Sequence, residues 1–149
     1  MPATPDVHAS KTAAAPQSGE IRKLTSLLEV SQALGSATNF RSALQRVLEI
    51  LERSHDAVRG AVALSATDQL PLEVAASVGA GRDRAWQSGM PAGALARQVF
   101  TTGRPVVVPR ISREPAFGER DSGDPERSFV CVPLLLNRRA TGVLSVELR

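Results

Sequence analysis

The stretch Ser128-Phe-Val-Cys-Val-Pro-Leu-Leu-Leu136, then Asn137-Arg-Arg-Ala140, then Thr141-Gly-Val-Leu-Ser-Val-Glu-Leu148 decides the fold. Two apolar, β-rich runs flank a short polar turn, the pattern of an antiparallel hairpin. The first run is apolar at odd and even positions alike, whereas a strand with one wet face alternates. Layers must therefore cover both faces of its sheet, and this run reads as the sheet's centre. In the second run Leu144, Val146 and Leu148 alternate with Val143, Ser145 and Glu147, which predicts one clear apolar face. Pro133 cannot donate a ladder bond, so pairing is expected to break or bulge there.

Upstream, a coarse pattern emerges. Residues 1–19 are rich in Ala, Pro, Ser and Thr without apolar periodicity and read as a disordered tail. Ile21, Leu24, Leu27, Leu28, Ser31 and Leu34 recur at helical spacing up to Gly35, a helix stop. Thr38 and Asn39 offer N-cap side chains for a second helix striped by Leu44, Val47, Leu48 and Leu51. On its wetter side Glu49 and Arg53 stand four apart in the favourable order. Both helices have one face to bury, most simply together against a sheet.

Gly60–Ser65 is a small-residue apolar strand, Thr67-Asp68-Gln69 a turn, and Leu72, Val74, Ala76 and Val78 mark a half-buried strand. Residues 79–93 are irregular and glycine-rich. A short helix over 94–102 ends at Gly103, a natural C-cap position, before a strand at Val106–Val108. A charged loop over 110–127 precedes the hairpin. Helices, then two strands, an excursion and three more strands make an α+β domain with a mostly antiparallel sheet.

Composition limits the function classes. A chain of 149 residues, 42% hydrophobic, fits one ordinary domain and needs no disulfide staple. Cys131 is the sole cysteine, so neither a disulfide framework nor a multi-cysteine metal site can form within one chain. No apolar run reaches the ~20 residues of a membrane helix, and a signal peptide's charged start is missing, so a cytoplasmic location is expected with no membrane partner. Sixteen of eighteen cations are arginines. Six lie between Arg82 and Arg113 against Asp83 alone, a local charge of +5 that predicts an anion preference if it folds into one surface. Direct nucleic-acid binding is not expected: arginine is spread along the chain, only Trp86 and four phenylalanines can stack on bases, and no helix-turn-helix pattern stands out.

Catalysis is poorly supported. His8 lies in the tail and His55 at the end of the second helix, while Cys131 sits between Val130 and Val132 as an inert core thiol would. Neither Lys11 nor Lys23 follows a glycine, so no G-x-x-x-x-G-K-[ST] phosphate loop is present.

Over residues 24–148 the chain resembles a GAF domain, most closely the N-terminal sensory domain of NifA-type activators of sigma-54 transcription in nitrogen fixation. The segments that carry the resemblance include Leu24–Leu34, Arg59–Leu64, Gly89–Val99, Thr102–Pro109, Glu114–Phe117 and the strand beginning Ser128-Phe-Val-Cys-Val-Pro133. It implies a five- to six-stranded sheet, with N-terminal helices on one face and a ligand pocket on the other. It also implies that residues 20–149 form the sensory domain. The family's signature for cyclic nucleotides, Asn-Lys-Phe-Asp-Glu, is absent, and its methionine-sulfoxide reductases and iron–sulfur relatives need more cysteines than this chain has.

The implied fold places Arg84, Trp86, Arg97, Arg110 and Arg113 in or near segments that roof the pocket. Arginine's planar fork suits a carboxylate, and some NifA-type domains respond to 2-oxoglutarate, so a small anionic metabolite of that kind is the expected ligand. No cofactor and no metal are expected. The family usually has an acid after the Val-Pro of its third strand; Arg110 stands there instead. An alternative role is a ligand-free module that dimerises through Leu24, Leu27, Leu28 and Leu34 and contacts a NifL- or PII-like regulator. Such activators continue into an ATPase and a DNA-binding domain, and the family follows this hairpin with one more helix. The chain is thus expected to be the regulatory piece of a longer activator, with apolar surface on its helical side that self-association covers.

Overall fold

A computed structural model describes residues 14–36, 38–79, 91–117 and 126–149. Three α-helices and five strands follow in the order α1 (Ala14–Ser36), α2 (Phe40–His55), β1 (Ala57–Ser65), β2 (Leu72–Gly79), α3 (Pro91–Thr102), β3 (Val106–Val108), β4 (Ser128–Leu136) and β5 (Arg139–Leu148), with two 3-10 turns at Ile111–Arg113 and Pro115–Phe117. The sheet is antiparallel throughout, in the order β2-β1-β5-β4-β3.

The order moves the centre by one strand: β5, not β4, is the middle of the sheet. From Gly142 to Glu147 every residue of β5 is buried or half-buried, so the face of Val143, Ser145 and Glu147 is covered as well as the apolar face of Leu144 and Val146. β5 bonds to β1 on one side and β4 on the other, and layers lie on both faces. Asn137 and Arg138 both take positive φ, 51° and 66°, which is the two-residue turn that matches strand twist. The register slips between Leu134 and Leu135, one residue beyond Pro133, with Thr141 Oγ1 donating to the Leu134 carbonyl at 3.1 Å. Pairing with β3 has already ended at Cys131–Val106, before the proline.

Alternation sorts the core into two layers. Leu44 and Leu48 of α2 meet Val62, Leu64, Val78 and Leu144 on one face. Leu95, Val99 and Phe100 of α3 meet Val143, Cys131 and Phe129 on the other. Asn39 caps α2, its Oδ1 accepting from the Arg41 amide at 2.9 Å. Gly103, at φ 65°, closes α3 by donating to the Val99 carbonyl at 2.9 Å, the left-handed residue that satisfies a terminal carbonyl.

α1 departs from the sequence reading in three ways. It begins at Ala14, inside the span read as a tail to Gly19, because alanines favour helix and a proline is tolerated in a first turn. It packs chiefly on α2, which separates it from the sheet. Its small face goes inward, with Ser26 and Ala33 buried, while Leu24, Leu27, Leu28 and Leu34 remain 66%, 65%, 59% and 48% exposed. Arg53 reaches across to Glu29 of α1 at 2.8 Å rather than to Glu49. His55 Nε2 lies 3.0 Å from Ser26 Oγ, and that hydroxyl donates to the Arg22 carbonyl at 2.9 Å, so the ring donates. The Ser–His pair is a helix brace, since a base would have to accept the hydroxyl proton.

Gly142 lets β1 and β5 close. A Cβ there would run into the Ala63 carbonyl and stand 2.7 Å from Leu64 Cδ2, whereas one at Gly35 in α1 meets nothing within 4 Å. Gly142→Ala is expected to cost at least ~2 kcal/mol and Gly35→Ala to stabilise by about 0.5–1 kcal/mol, read as denaturant midpoints. Equal midpoints for the two variants would contradict this packing.

Candidate functional site

Along β1 side-chain size alternates with direction. Val62 and Leu64 fill the α2 layer, while Ala61 and Ala63 point towards α3. Ala61 pairs with Ser145 and Ala63 with Val143, so small side chains sit side by side on two strands. The result is a cleft of about 1070 Å³ floored by these four residues, walled by β2 and by Ala96 and Arg97 of α3. At the β2 edge Gln45 Nε2 donates to the Ser77 carbonyl at 3.2 Å, joining α2 to the rim. The walls are mostly aliphatic, and Arg97 and Glu73 are the charged groups among the described lining residues. A cavity of this size with few polar groups suits a small organic molecule with an apolar body and a charged end.

The expected site residues separate. Arg97 lines the cleft, exposed at its rim. Arg110 is exposed and faces Glu126 at 3.8 Å, and Arg113 is exposed on the neighbouring 3-10 turn; neither lines the cleft. Arg84 and Trp86 lie outside the described residues. The leucines expected at a dimer contact are the exposed row on α1.

Two features escaped the sequence reading. The small floor was legible as an alternation of Ala61 and Ala63 with Val62 and Leu64, once that alternation is read as a size pattern. The second is a buried ion cluster on the same sheet face. Glu147, 1% exposed, stands between Arg59 of β1 and Arg127, the residue before β4. Its Oε1 lies 3.9 Å from Arg59 Nη1 and its Oε2 3.6 Å from Arg127 Nη1. No sequence spacing links these three residues.

Cys131 is fully buried in the α3-side layer, and burial pushes its thiol from 9.0 up to about 12. A thiol so shifted supplies almost no thiolate at neutral pH and is no nucleophile. Among the described residues no group of three or more His, Cys, Asp or Glu could hold a metal ion, and no helix is long and apolar enough to cross a membrane. The cleft offers a place to bind, and neither Cys131 nor the Ser26–His55 pair is set as an activated nucleophile.

An antiparallel α+β sheet with helices behind and a ligand-sized cleft in front defines the class. The GAF domain family matches residues 37–149, and the chain belongs to that family. It is 33% identical over 87% of its length to the nitrogen fixation protein VnfA of Azotobacter vinelandii, covering 26% of that protein. It is 31% identical over 88% of its length to the Nif-specific regulatory protein of Azospirillum lipoferum, covering 22% of it. The chain thus spans about a quarter of the curated relatives it matches. In structure it is similar to the nlh2 GAF domain of A. aeolicus in an inactive state, at TM-score 0.71 and 18% identity, over 86% of this chain and 80% of that one.

The buried thiol has a pH signature. Its neutral form is favoured in the folded state, so its contribution is complete below the unfolded value of 9.0 and erodes as pH rises towards about 12. Cys131→Ala is expected to lose less stability than the parent between pH 9 and 12, followed by denaturant titration. Parallel losses in the two proteins would show that the thiol is not desolvated.

Proposed function

We propose that this chain is the signal-sensing regulatory domain of a NifA-like sigma-54-dependent activator, whose α3-side cleft takes a small anionic metabolite and thereby controls an ATPase and DNA-binding output. The observation that carries the reading is the cleft: a small-residue floor of Ala61, Ala63 and Ser145 with the guanidinium of Arg97 at its rim. The similarity to Nif-specific regulatory proteins supports the regulatory role. A short dicarboxylate such as 2-oxoglutarate fits this chemistry. Its carbon chain lies over the aliphatic floor, one carboxylate meets Arg97 through two parallel bonds, and Ser145 and Ser77 offer polar contacts nearby. Recognition of this kind is binding without turnover.

Isothermal titration with 2-oxoglutarate tests the ligand. The parent is expected to bind and Arg97→Gln to bind at least ~10-fold more weakly, the cost of a lost charge-assisted hydrogen bond. No heat at millimolar ligand in folded protein would overturn the anion reading.

A second reading rests on α1. Its exposed leucines form a stripe that a second copy would cover, giving a homodimer, or that a NifL- or PII-like regulator would contact. Leu27→Glu puts a charge in that stripe without disturbing the buried Ser26–Ala33 side. The parent is expected to sediment as a dimer and Leu27→Glu as a monomer; a monomeric parent at high concentration would contradict the interface.

A further inference from the structure

We propose that Glu147, with Arg59 and Arg127, is a latch that makes the conformation of the 3-10 turn at Ile111–Arg113 and that of the residues after β5 depend on one another. Glu147 lies on the middle strand, opposite Arg59 on one neighbour and Phe129 on the other. Each of its carboxylate oxygens faces a different guanidinium, at 3.9 Å and 3.6 Å. A single side chain therefore ties β1 to the residue before β4 across β5.

Each arm leads to a further anchored segment. The Arg127 carbonyl accepts from the Ile111 amide at 2.8 Å, so the position of Arg127 sets that of the 3-10 turn. Ile111 and Phe117 are buried in the α3-side layer, with the Phe117 ring edge-on to Phe129 at 5.0 Å. On β5 itself, Ser145 of the cleft floor lies two residues before Glu147 on the same face. Two residues after it, the Arg149 amide donates to the Asp56 carbonyl at the end of α2, at 3.3 Å. Glu147 thus stands midway between the cleft floor and the point where the chain leaves the sheet.

Charge is a poor choice for holding a sheet together. Desolvating an acid and two bases offsets most of their attraction, and aliphatic side chains of the same size hold such a site as well. What the cluster adds is one geometry shared by β1, β5 and the residue that enters β4, so displacing one arm shifts the buried carboxylate that holds the other. The inference is independent of which ligand the cleft takes.

Amide hydrogen exchange on the whole chain tests it, with Glu147→Gln and Arg127→Met compared with the parent. The latch predicts that Arg127→Met speeds exchange at Ile111 and also at Arg149, each by tenfold or more, while the β1–β2 ladder amides keep their protection. Glu147→Gln is expected to do the same at both ends. A change confined to Ile111 would overturn the proposal, because the two ends would then be uncoupled. A uniform loss of protection in Arg127→Met would overturn it too, by making the cluster a general support of the fold. If Glu147→Gln does not fold, Arg127→Met, which keeps the Arg59 arm, decides alone.

Discussion

The fold depends on burying β5 on both edges and both faces. A strand so placed needs ladder partners on both edges, and from Gly142 to Leu148 it has them in β1 and β4. It must also supply two different side-chain sets, one per layer. Leu144 and Val146 face α2, and Val143 and Ser145 face α3. Gly142 permits the close approach to Ala63 and Leu64 that holds β1 in register. α3 packs directly on this strand from one side, while α2 lies over β1 and β2 on the other, where Leu144 of β5 joins its layer.

From that constraint a division of labour arises. The α2 face is filled by the larger aliphatic side chains Leu44, Leu48, Val62 and Leu144. Near α3 the floor falls away because Ala61, Ala63 and Ser145 are small, and the space left is the cleft. Packing therefore creates the binding site by omission: the same two strands are well filled behind and under-filled in front. Cys131, Ser26 and His55 are each committed to packing or to another hydrogen bond.

Much of this was legible in the residues. The hairpin, the cap of α2 at Asn39, the end of α3 at Gly103 and the need for two covering layers follow from local pattern and turn chemistry. Strand order does not, because periodicity reports which faces of a strand are covered and not which neighbours it has. Glu147 shows the consequence: an acid on an alternating strand reads as wet, and only the two arginines brought to it by the sheet make burial tolerable. For α1 the failure was of another kind. Its leucines gave a clear stripe, yet the helix packs by Ser26 and Ala33 and leaves the leucines exposed. Of the arginines over 82–113 that the structure describes, Arg97 and Arg110 do not share a surface. Arg97 reaches the cleft, while Arg110 faces Glu126 instead.

Amide shift mapping by NMR during titration with 2-oxoglutarate tests the central claim, that the α3 face is the binding face and the α2 face is packing. The account predicts shifts clustered at Ala61, Ala63, Ser145 and Arg97, with α1 and the inner face of α2 unmoved. Shifts centred on the α1–α2 side, or none at saturating ligand, would contradict it.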